Sequence, residues 1–197
     1  MAESEITWIT VTKLDAAKRQ LRTAIELWFH DGDPVSIHAL VYAAHEIIHR
    51  LFRQAGHTGL LFDLDADSAL PKGTDATPEE LVVLRSEFPA FLKRNANFFK
   101  HAERETNADD ALVFSPDVNA EFIAICLLGL GRLGEKYDFA GRTFIFWYRL
   151  HRPEEFEQSG AKLLPAEEVE RWKRLYLVDK REFFRRYVEG LRKRGLA

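Results

Sequence analysis

The sequence holds a single cysteine, Cys126, in 197 residues, so no disulfide can form within the chain. That usage suits a reducing compartment. Signals for a membrane are equally scarce. The opening MAESEITWIT has no basic stretch leading into an apolar one, so no signal peptide is expected. The longest apolar stretch, Phe122 to Leu130, is too short to cross a bilayer. The expectation is therefore a cytoplasmic protein with no membrane partner. No internal repeat and no low-complexity linker divides the chain, and strand signals are few. What the chain has in quantity is apolar residues, 46% of the total, with fifteen phenylalanines. That is enough to build a core without disulfides or metal.

Helical periodicity fills most of the length. Leu14, Ala17, Leu21, Ala24, Ile25 and Trp28 recur at three and four, which predicts a helix from about Thr12 to Phe29. Asp31-Gly32-Asp33 ends it. Asp33 then caps a second helix with Pro34 at its first position, running to about Ala55 and stopping at Gly56. Residues 57–76 read as a loop. Thr77-Pro78-Glu79-Glu80 is a capping box, and Pro89 divides the helical stretch that follows. Ser115-Pro116 opens another helix. Thr143–Arg149 fits a strand or a helix, because β-branched and aromatic residues dominate it. Pro165 opens the last helical stretch, with a possible bend near Asp179. The reading is an all-α, single-domain bundle of about six to eight helices over residues 1–197. Residues 1–164 form its body, and residues 165–197 form a basic amphipathic C-terminal helix.

The net charge of −3 conceals an asymmetry. From Arg171 to Ala197 there are ten Lys/Arg against three Asp/Glu, which leaves −10 on residues 1–170. If the last helix is continuous, Arg174, Arg181, Arg185 and Arg192 fall within about 40° on one side. Trp172, Tyr176, Phe183 and Tyr187 fall on the other. The aromatics should pack on the bundle, and the arginines form an outward ladder suited to an RNA backbone or an ordinary solvated face.

Three further patterns carry chemistry. Gly129, Gly131 and Gly134 spell the dinucleotide-binding fingerprint, but they follow a helix start and no βαβ unit surrounds them. They read as glycines for close packing or for ending a helix. His45-Glu46-Ile47-Ile48-His49 has the spacing of zinc hydrolases: histidines four apart share one helical face, and Glu46 can activate water. His38 and Tyr42 extend that stripe. Glu79, Glu80, Glu103 and Glu121 are candidate third ligands. The alternative is a row of histidines hydrogen-bonded at the edge of a helix contact, with no cofactor.

The third pattern is Arg94-Asn95-Ala-Asn97-Phe-Phe-Lys-His101, an Arg, six residues, then a His. A separation of seven puts Arg94 and His101 about 20° apart on a helix. Phe88, Phe91, Phe98 and Phe99 run beside them. Arg50 and His57 share the spacing but straddle Gly56. Here the chain resembles the HEPN superfamily, whose ribonucleases carry Arg, four to six residues, then His, often with a polar residue after the Arg. The segments from Trp28 to His38 and from Asn97 to Ala102 also resemble a broad group of uncharacterised bacterial helical proteins. The resemblance implies metal-independent RNA cleavage, with His101 as general acid or base, Arg94 on the phosphoryl charge and Asn95 orienting the histidine or the phosphate. It further implies a homodimer. Many members of that superfamily are inactive, so a non-catalytic RNA- or partner-binding protein is the companion expectation, and a helical interaction protein unrelated to RNA is the plainest one.

Overall fold

The computed structural model describes residues 8–57, 77, 90–100, 109–151 and 179–195. They form six helices, with no strand among the described residues. These are α1 (Lys13–Phe29), α2 (Pro34–Gln54), α3 (90–100), α4 (Val118–Arg132), α5 (Phe139–His151) and α6 (Lys180–Lys193). The molecule is an all-α bundle, as its periodicity predicts.

Each helix starts and stops for a local reason. Thr12 and Asp15 form a reciprocal capping box at the head of α1. Asp33 accepts from the backbone N–H groups of Val35 and Ser36 at the head of α2, where Pro34 needs no partner of its own. α2 and α4 end alike. Gly56 and Gly134 take left-handed conformations (φ 80° and 79°), and His57 and Glu135 donate back to the carbonyls of Phe52 and Leu130. α1 ends with the same bonding, but the left-handed position is Asp31, at φ 52°.

Thr143–Arg149 resolves as helix. Asp138 caps α5 by accepting from the Gly141 N–H at 2.9 Å, and the Thr143 hydroxyl bonds back to the Phe139 carbonyl at 2.6 Å. Ala140, Thr143, Phe144 and Tyr148 are buried at three-and-four spacing. Gly141 lets α5 lie close to α4, since a Cβ there would stand 3.0 Å from Leu127.

α1 is the centre of the packing and touches α2, α4, α5 and α6. The core between them is aromatic. Phe29 is fully buried and packs on Phe144, Phe183 and Phe184, while Trp28 meets Phe144 and Trp147 edge-on. Burying a side chain of that size stabilises by roughly 1.5–3 kcal/mol.

Asp179 is extended (ψ 159°) and caps α6 through Arg181 and Glu182, so a fresh helix begins at Lys180. Arg174, Trp172, Tyr176 and the expected start at Pro165 lie outside the described residues, as do residues 58–76 and most of the capping box at Thr77.

Candidate functional site

α2 carries the histidine stripe inward. His38 and His45 have no exposed surface, and Tyr42 is buried between them. His38 Nδ1 lies 3.0 Å from Asn119 Oδ1, and Asn119 Nδ2 donates to the Pro34 carbonyl at 3.1 Å. Because the Asn119 amide nitrogen is already used, its oxygen faces His38, and the proton sits on His38 Nδ1. Phe99, Phe114 and Phe122 box the His38 ring. Burial lowers the His38 pKa, against the opposing pull of Asn119 and the Leu92 backbone. His45 lies against Phe122, and burial drives its pKa down to about 3. The ring is neutral at physiological pH.

His45 and His49 stand with ring centroids 5.6 Å apart. Glu46 is over half exposed, with Lys100 Nζ 3.9 Å from its carboxylate. A catalytic zinc needs an open coordination position, and His45 is closed to solvent. Among the described residues no three His, Cys, Asp or Glu side chains are placed to hold a metal ion. Of the candidate third ligands, Glu121 is in the first turn of α4, and Glu79, Glu80 and Glu103 lie outside the described residues.

α3 lies against this stripe. Leu92, Asn95 and Ala96 form its buried face. Lys100 Nζ sits 4.6 Å above the Tyr42 ring, and Phe99 meets His38. The two helices bearing the sequence motifs therefore pack together, which spacing alone left open. Asn95 has no exposed surface, and among the described residues neither its Nδ2 nor its Oδ1 has a hydrogen-bond partner. Arg94 is exposed, with its guanidinium 5.7 Å from the Phe91 ring and no ion pair among the described residues. His101 falls just past the described part of α3.

The C-terminal arginines are engaged. Arg181 Nε is 2.7 Å from Asp31, and Lys180 pairs with the same carboxylate at 2.7 Å. Arg185 pairs with Glu182 and Glu189, and Arg186 pairs with Glu182. These guanidinium groups hold the Glu182 carboxyl down to about 2. Of the ladder, Arg192 alone among the described arginines has no ion pair.

No family model, curated protein or solved structure matches the chain. The residues themselves carry the functional reading.

Sequence reasoning passed over one surface. Glu46, His49, Arg50, Arg53 and Gln54 recur at three and four along the outer face of α2 and line an open depression of about 660 Å³. Their periodicity is visible in the sequence, on the side of α2 next to the HExxH histidines. The alternative Arg50–His57 pair does not assemble. Gly56 turns the chain, and the His57 ring stacks on Phe52 at 4.7 Å. The glycine fingerprint is structural too. Gly134 ends α4, and a Cβ on Gly131 would collide with the Tyr137 hydroxyl.

Proposed function

We propose that this chain is a HEPN-like helical protein acting on RNA, as a metal-independent endoribonuclease or as a non-catalytic RNA- or partner-binding relative. The observation that carries the reading is the condition of Arg94 and Asn95. Arg94 offers an exposed guanidinium that no described carboxylate neutralises. Asn95, beside it, buries an amide with no hydrogen bond among the described residues. Leaving such a group unbonded costs about 1–3 kcal/mol, and packing alone would favour an apolar residue there.

In this reading Arg94 holds two phosphate oxygens and stabilises their charge in the transition state. His101 takes the proton from a 2′-hydroxyl or gives one to the departing 5′-oxygen. The 2′-oxygen forms the new bond to phosphorus as the 5′-oxygen leaves. Asn95 is a positioning residue for the α3 surface. Arg192 supplies backbone affinity, and Arg181 and Arg185 contribute less because their carboxylate partners compete with phosphate. A homodimer belongs to the proposal and is read by sedimentation.

The test is single-turnover cleavage of labelled RNA in the presence of a chelator. Loss of cleavage in His101→Ala and Arg94→Ala supports the enzyme. Cleavage unchanged by His101→Ala rejects it. RNA binding without any cleavage by the wild type selects the non-catalytic form.

A further inference from the structure

The depression on the outer face of α2 has the composition of an anion site. His49, Arg50 and Arg53 line it, together with Gln54 and Glu46. Lys100 approaches Glu46 to 3.9 Å and offsets its carboxylate. Among the described residues, two arginines line the depression beside one carboxylate, that of Glu46. Arg53 lies in the last turn of α2, where the helix dipole by itself favours a cation. Arg50 lies further back, beyond the reach of that effect, and no described carboxylate pairs with it. A guanidinium fork matches two oxygens of one phosphate, and the Gln54 amide adds a donor that does not depend on pH.

We infer that this face binds a phosphate group, with Arg50 as its principal anchor and Arg53, His49 and Gln54 around it. The site does not depend on Arg94 and His101: a chain with no ribonuclease activity carries it equally. The phosphate belongs either to a nucleic-acid strand or to a small phosphate-bearing molecule, and both present the same oxygens.

The experiment is fluorescence anisotropy of a labelled short single-stranded RNA, with inorganic pyrophosphate as competitor and as a separate ligand by calorimetry. It compares the wild type with Arg50→Ala, and with Arg19→Ala on the exposed face of α1 as control. Both substituted side chains are exposed, so circular dichroism should show unchanged helix content. Arg50→Ala is expected to weaken binding about tenfold and to lower the slope of log affinity against log salt by about 0.7 for a single strand. Arg19→Ala should leave both unchanged. RNA binding that pyrophosphate does not displace assigns the site to a strand, and pyrophosphate binding alone assigns it to a small phosphate compound. Loss of either in Arg50→Ala supports the site. Equal loss in Arg50→Ala and Arg19→Ala, or no binding of either probe, overturns it. Because His101 is untouched, RNA cleavage that persists in Arg50→Ala separates failure here from failure of the ribonuclease reading.

Discussion

Asp31 and Arg181 are 150 residues apart in sequence and 2.7 Å apart in space. The contact ties the turn after α1 to the first turn of α6, and Lys180 reinforces it while lying 4.5 Å over the Trp28 ring. Asp31 does two jobs there. It adopts a left-handed conformation that few non-glycine residues tolerate, and it presents a carboxylate to two cations.

The two jobs separate by substitution. Asp31→Asn keeps the tolerance for positive φ and removes the charge, so its effect on thermal stability should be small and vanish at high salt. Asp31→Val removes both and should destabilise at every salt concentration. Thermal melts in low and high salt check this, and equal melting of the two variants at high salt would contradict it.

Gly131→Ala should destabilise by about 1–3 kcal/mol, since its methyl group meets the Tyr137 side chain. Pairing it with Tyr137→Phe removes the colliding hydroxyl, and the double variant should cost less than the two single costs added. Gly134→Ala acts differently, through a left-handed backbone with open space around it, and Tyr137→Phe should not relieve it. Chemical denaturation of the set distinguishes steric from conformational cost.

Burial holds His45 near a pKa of about 3, well below its ordinary value of 6.5. Between these values the unfolded chain binds more protons than the native one, so stability rises with pH across that window. The contribution is complete above about 6.5 and is lost as pH falls toward 3. His38 and His151 are shifted in the same direction by burial. Replacing His45 with Leu should flatten the acid side of the stability curve while preserving helix content. An unchanged acid slope would show that His45 is not its source.

Asn95→Leu should raise stability by about 1 kcal/mol, because it removes a buried amide that makes no hydrogen bond among the described residues. If Asn95 positions the α3 surface for RNA, the same variant should lose cleavage or binding. Rising stability with falling activity is the expected pair of readouts. Stability gained at no functional cost would remove Asn95 from the site.

Most of the bundle was legible because its determinants are local. The Thr12 and Asp33 caps, Pro34, Gly56 and the three-and-four spacing of α1 and α2 act within a few residues, and those helix ends fall where the sequence puts them. Thr143–Arg149 stayed ambiguous because residue type favours a strand there, while the Asp138 cap and the contacts with α1 and α4 favour a helix. The site was less legible. The periodicity of α2 places His38, His45 and His49 on one face, yet only tertiary packing decides that this face meets Phe122 and Asn119. The arginine ladder reads as one charged strip, but its neutralisation of Asp31 depends on a contact between opposite ends of the chain.

The lone thiol gives the molecule a built-in gauge. Cys126 is wholly buried where α4 meets α2, with its Sγ 3.9 Å from the Val41 carbonyl, and burial keeps it protonated. A thiol reagent reaches it only when those two helices part. With no second cysteine to confuse the signal, the labelling rate counts such partings directly. A ligand seated on α2 that steadies the interface would slow that rate, so occupancy becomes measurable with no assumption about the reaction the protein performs.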